Sequence, residues 1–325
     1  MSAVQGAVQA VVAAGGDAAA RLMARLEIRL LELADGHGAL LGRHAGDTIA
    51  AGGKRLRPLL LFLAAGAPPP ESEGLLRSAV AVELVHSATL VHDDVLDGSP
   101  LRRGRPTVMA SGGRLAATAT GDLLFSRAFA ELARTRSVEA VRVLSRASSE
   151  LATGELMQRA DAWRAVSTER YLERCRLKTA VLFRAACELG GLEGDDEERL
   201  EGLAAFGERI GLAFQLLDDV LDVTGPPERT GKPRGADLLD GTVTLPLILA
   251  RERDRELGAV NLRSVVTTEQ AAEVCARIAD TGALEVTRAR ALDLVAGAKA
   301  DLPDMPGRQR SALELIADGV VERYS

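Results

Sequence analysis

Residues 200–222 read LEGLAAFGERIGLAFQLLDDVLD, with Leu200, Leu203, Ala204, Phe206, Ile210, Phe214, Leu217 and Leu221 returning every three or four positions. That interval keeps apolar side chains on one face of a helix turning 3.6 residues at a time. The same period runs through most of the chain, and no comparable stretch alternates with the period of two that a strand needs. The reading is an all-α protein of roughly ten or more helices, several of them longer than three or four turns. Its punctuation falls at Gly52-Gly53, Pro68 to Pro70, Gly98 to Pro106, Gly190 to Asp196 and Gly225 to Gly241. None of these breaks has the composition of an interdomain linker, so one large helical domain is expected over residues 1–325, with residues 1–20 as a frayed N-terminal tail.

Composition narrows the function. Forty Lys and Arg against 46 Asp and Glu give a net charge of −6 over 325 residues, which argues against a nucleic-acid partner. Three scattered cysteines, Cys175, Cys187 and Cys275, suit neither a disulfide framework nor a CxxC metal site and point to a reducing, cytoplasmic setting. No Lys or Arg precedes Arg21, so a secretory signal is not expected. The longest apolar stretch, Pro58 to Ala67, is too short to cross a bilayer, so no transmembrane segment is expected either. With one Trp, two Tyr and six Phe, the core must be built from aliphatic side chains.

The string DDVLD at 218–222 occurs once more, at 93–97. On a helix, positions four apart lie on one face about 6 Å apart along the axis, so Asp93 pairs with Asp97 and Asp218 with Asp222. Like charges at that spacing destabilise a helix unless a cation or a partner sits between them. Oxygen-only ligands select hard divalent cations, and Mg²⁺ typically takes one or two carboxylates and completes its shell with phosphates and water. The implied ligand is a diphosphate. A single DDxxD would usually be a solvated helix end; two copies on apolar helices favour the metal.

Three basic clusters answer the aspartates: GGKRLRP at 52–58, LRRGRPT at 101–107 and GKPRG at 231–235. Arginine suits bidentate phosphate contacts, and glycine pairs allow close backbone approach. Lys178-Thr179 lies in a helical segment, Gln215 one turn before Asp218, and Glu83 and His86 precede Asp93. Glu83 and His86 also match the ExxH spacing of di-iron bundles, but no second ExxH occurs.

Together these motifs resemble the trans-isoprenyl diphosphate synthase, or polyprenyl synthetase, family. The resemblance runs from about residue 45 to 250 and rests on GGKRLRP, HDDVLDGSPLRRGRPT at 92–107, Glu155 and Gln158, Lys178-Thr179, QLLDDVLD at 215–222 and GKPRGADLLDGTVTLP at 231–246. It implies a single large bundle of antiparallel helices around a deep central cavity, of the isoprenoid synthase type, as a homodimer. It also implies Mg²⁺ on Asp93, Asp97 and Asp218, with Asp94 and Asp222 completing the claws and Asp219 and Lys178 among the catalytic groups. Arg102, Lys178, Thr179, Gln215 and Lys232 would bind an allylic diphosphate, and Lys54, Arg57, His86 and Arg103 isopentenyl diphosphate. Two positions depart from the family pattern: Thr242 stands where a second lysine is usual, with Arg234 a candidate substitute, and Gly98 stands where an acidic residue is common.

The resemblance implies ionisation of the allylic diphosphate, attack by the double bond of isopentenyl diphosphate and loss of a proton. Chain length would follow from the residues one to three turns before Asp93. Ala88 and Thr89 are small and Val85 is not aromatic, which points to a long all-trans polyprenyl diphosphate, released by a cytoplasmic enzyme or one peripheral to the membrane, unless Met109, Phe125, Phe129 or a partner subunit supplies a floor. The alternatives are a geranylgeranyl or farnesyl diphosphate synthase of the same family, a class I terpene cyclase, which would carry an Asn/Ser/Glu metal motif not found here, and a non-catalytic partner subunit.

Overall fold

The computed structural model describes residues 3–34, 38–66, 71–194, 197–226 and 233–322. The chain is all-α, and among the described residues the only strands form a two-residue hairpin, Leu101–Arg102 (β1) with Arg105–Pro106 (β2). The helical period failed to foresee this hairpin because two paired residues leave no periodic trace.

The chain forms two compact units, Met1–Ser148 with Leu182–Gly207 and Asp301–Gly319, and Ser149–Val181 with Glu208–Ala300 and Val320–Ser325. In the first, α1 (Ala3–Ala34), α2 (Ala39–Ala50), α3 (Leu56–Ala64), α4 (Glu73–Asp97) and α5 (Val108–Ala133) follow in order. Where a tail is expected over residues 1–20, the described chain is helical from Ala3, kinked at Gly16, and Ala19 and Leu22 are buried. Alanine and valine without proline propagate a helix, and the buried face beyond the kink anchors it.

Helix α4 is the core of this unit. It is long and apolar enough to cross a membrane by length and composition, but 72% of that stretch is buried within the protein, as in a core helix. Ser72 caps its start by accepting from the Leu75 amide at 3.4 Å. Its end is set by Gly98, whose left-handed φ of 63° halts the helix immediately after Asp97. The connection to α5 is pinned by Thr107, which donates to the Ser99 carbonyl at 2.6 Å and accepts from the Ala110 amide at 3.0 Å.

In the second unit, α7 (Thr168–Cys175) runs into a π-helical turn, Arg176–Ala180. Helix α6 (Val138–Asp161) and, after α8 (Val181–Glu193), helix α9 (Leu200–Thr224) bring Glu155 and the second DDVLD to this unit. Short α10 (Ala236–Leu239) and α11 (Leu245–Arg253) follow α9.

Candidate active site

Both DDVLD strings occupy the C-terminal ends of long helices, and neither helix has a basic residue in its last turn. Carboxylates there meet the negative end of the helix dipole as well as one another. In α4, Asp93 and Asp97 are half-buried near the surface, whereas Asp94 is 4% exposed. Arg102 clamps Asp94 by placing Nε and Nη2 each 2.8 Å from Oδ1. Asp94, expected to complete the claw, is thus turned inward and bonded to Arg102, because its face of α4 packs into the core. The same contact fixes Arg102.

Beside this helix end lies a cavity of about 270 Å³, whose walls include His86, Arg55, Arg102, Arg103, Arg105 and His44. Arg55, in a left-handed backbone conformation, is 6% exposed. It donates to Glu27 at 2.7 Å, to Glu83 at 2.7 Å and to the Ile49 carbonyl at 3.0 Å. Burial opposes its charge, but Glu27 and Glu83 outweigh that and hold it above the ordinary arginine range. Arg57 lies 4.5 Å over the Phe183 ring, and its buried Nε has no hydrogen-bond partner. Burial, opposed by Glu83 and aided by Arg103, brings Arg57 down to about 10. For His86, burial and then the charges of Arg57, Arg103, Arg102 and Arg55 press the imidazole well below its usual range, so it stays neutral among cations. Of the four residues expected to bind isopentenyl diphosphate, His86 and Arg103 line the cavity; Lys54 and Arg57 do not. Arg55, Arg105 and His44 were not assigned from sequence: Arg55 and Arg105 sat unremarked inside the basic strings, and His44 carries no motif.

In the second unit, Asp218 and Asp222 are half-buried and Asp219 is 3% exposed, repeating the pattern of α4. Tyr171 donates its hydroxyl to Asp219 Oδ2 at 2.6 Å, and Gln215 donates Nε2 to Oδ1 at 2.7 Å. Thr179 donates to Gln215 Oε1 at 2.7 Å. Burial, with Asp237 and Asp218 nearby, raises the Asp219 carboxyl far above the usual carboxylate range, while Tyr171 and Gln215 oppose the rise. Asp219, expected among the catalytic groups, is held from two sides by Tyr171 and Gln215. Lys178 projects from the π turn and pairs with Glu155. The turn packs closely on α6: a Cβ at Gly154 would lie 2.6 Å from the Lys178 amide nitrogen and 2.8 Å from the Leu177 carbonyl carbon. Lys232 lies outside the described residues.

Among the described residues no three His, Cys, Asp or Glu side chains form a metal-holding group. The donor set available is paired carboxylates at helix ends, which suits an ion that completes its shell with substrate phosphates.

The polyprenyl synthetase family matches residues 39–281. The chain belongs to the polyprenyl synthetase family. It is 44% identical over 222 residues to heptaprenyl diphosphate synthase component 2 of Geobacillus stearothermophilus, a match covering 68% of this chain and 69% of the relative. It is 37% identical over 285 residues to the geranylgeranyl diphosphate synthase of Methanosarcina mazei, covering 85% and 87%. Among solved structures it resembles the polyprenyl synthase of Caulobacter crescentus, complexed with calcium and isoprenyl diphosphate, at a TM-score of 0.90 and 38% identity over 98% of each chain.

In this polyprenyl synthetase, Val85 and Ala88 are wholly buried on α4, and Thr89, half-buried, donates to the His86 carbonyl at 2.8 Å. Thr242 uses its backbone amide to bond the Asp237 carbonyl at 2.8 Å. Arg234 donates Nε to the Val223 carbonyl, at the end of α9. Gly98, the other departure, is explained by its left-handed φ, which an acidic residue would adopt only with strain.

Proposed function

We propose that this polyprenyl synthetase condenses isopentenyl diphosphate with an allylic diphosphate to give an all-trans polyprenyl diphosphate. The observation that carries the reading is the pairing of half-buried aspartates at the C-termini of α4 and α9, where like charges and the negative helix end together favour a bound cation. Asp93 with Asp97, and Asp218 with Asp222, would hold Mg²⁺, which when bound supplies positive charge to the leaving diphosphate. Lys178, Thr179 and Gln215 would bind the allylic diphosphate. Arg103, Lys54 and Arg57 would orient isopentenyl diphosphate, with neutral His86 donating one hydrogen bond without adding charge. Interactions that strengthen as the allylic C–O bond breaks lower the barrier. The leaving group departs with the bonding pair, the double bond of isopentenyl diphosphate forms the new C–C bond, and a proton is lost to the departed diphosphate.

We assign a long product, because Val85, Ala88 and Thr89 place no bulky side chain before Asp93. The working form is a homodimer, cytoplasmic or peripheral to the membrane. The test is incubation with Mg²⁺, labelled isopentenyl diphosphate and, separately, C5 to C20 allylic primers, followed by mass analysis of the dephosphorylated products. A ladder ending in a long polyprenol, absent with Asp93→Ala and shortened with Ala88→Phe, supports the reading. A single C15 or C20 product keeps the reaction and overturns the length. Consumption of a primer without isopentenyl diphosphate would indicate a cyclase, and activity only with a second protein a partner-dependent subunit.

A further inference from the structure

Tyr171 is 1% exposed on α7, and its hydroxyl meets one oxygen of Asp219 while Gln215 meets the other. Burial, with Asp219 beside it, keeps the phenol protonated far above its usual range, so it remains a donor. Gln215 in turn accepts from Thr179, next to Lys178 in the π turn. One hydrogen-bonded chain therefore runs Tyr171, Asp219, Gln215, Thr179, joining α7, α9 and the π turn. Successive helical residues are rotated by about 100°, so fixing Asp219 on the inner face fixes where Asp218 and Asp222 point on the outer one.

Resting on the function proposed above, we infer that Tyr171 is a positioning residue for the allylic diphosphate: through Asp219 it sets the register between the Lys178–Thr179 turn and the aspartate pair of α9. It touches no substrate. Without its hydroxyl, one oxygen of a buried carboxyl is left unsatisfied, and such a group moves or draws in water to recover the loss. The disturbance passes to Gln215 and Thr179. None of these four residues lines the cavity of His86 and Arg103, so the isopentenyl side is untouched.

The first test is Tyr171→Phe, checked for folding by circular dichroism and assayed with each substrate varied in turn. The expected result is a KM for the allylic diphosphate raised about tenfold, the loss of roughly one buried hydrogen bond, with the KM for isopentenyl diphosphate changed less than about twofold. Unchanged values for both, or equal shifts in both, overturn the proposal. Should Tyr171→Phe not fold, Asp219→Asn and Asp219→Ala are compared by calorimetric titration of the allylic diphosphate with Mg²⁺. Asparagine keeps an acceptor for Tyr171 and is expected to bind within about threefold of wild type while alanine loses about tenfold; equal losses in the two overturn the positioning role. The titration also serves if wild type fails to condense isopentenyl diphosphate, a result that would sink the functional reading alone.

Discussion

Asp94 and Asp219 hold the same place in two copies of DDVLD, and both are buried and bonded to a neighbour, whereas the aspartates on either side stay near the surface. The sequence displays five identical letters twice, yet it gives no sign that the second aspartate of each is spent inside, because the inward face depends on what packs against the helix. The half-buried members meet the negative end of a helix dipole. Asp93→Asn removes a charge from the wrong end of the α4 dipole, so without divalent cations it should stabilise the fold by about 0.3–1 kcal/mol. In the presence of Mg²⁺ its condensation rate should fall at least about 100-fold. Thermal melts in EDTA and initial rates check the two halves separately, and a destabilised variant would contradict the dipole argument. His86 gives a pH test. Its folded pKa is depressed below the ordinary value near 6.5, so the unfolded chain binds a proton that the folded one refuses. Its share of stability is complete above about pH 6.5 and is lost as pH falls, at no more than about 1.4 kcal/mol per pH unit. Urea midpoints at pH 7.5 and 5.5 should lie closer together in His86→Asn than in wild type.

The long helices were legible because their apolar faces repeat over many turns, as α9 does from Leu200 to Leu221. The π turn at Arg176–Ala180 was not, since one widened turn shifts the pattern by a single residue and leaves the composition helical. It nonetheless presents Lys178 and Thr179, and Gly154 on α6 is what admits it. A methyl group there would press on backbone atoms, which cannot swing aside as a side-chain tip does. Gly154→Ala should therefore cost about 1–3 kcal/mol and raise the KM for the allylic diphosphate more than that for isopentenyl diphosphate. Denaturant midpoints and substrate-varied kinetics measure both effects; a neutral Gly154→Ala would mean that the turn has slack. Gly98 is the counterpart on α4, read from sequence only as a departure from the family and explained by its left-handed φ at the helix end.

Over the whole molecule a net charge of −6 conceals a division of labour that composition averages away. The cavity beside α4 gathers Arg55, Arg102, Arg103 and Arg105 around a neutral histidine, although Arg55 is balanced by Glu27 and Glu83 and Arg102 by Asp94. The aspartate pairs repel an anion until a cation is bound. The expectation is that the cavity takes a diphosphate without metal and that the aspartate pairs take it only with metal. Inorganic pyrophosphate in EDTA should raise the melting temperature through the cavity alone. A ligand at one hundred times its Kd stabilises by about 2.7 kcal/mol, or about 4 °C for a chain of this size. Adding Mg²⁺ in place of EDTA should give a second increment. Arg103→Ala should remove the first and keep the second; Asp218→Asn should do the reverse. A melting temperature that rises only when Mg²⁺ and pyrophosphate are both present, with Arg103→Ala indistinguishable from wild type, would mean that the arginine cavity does not hold a diphosphate by itself.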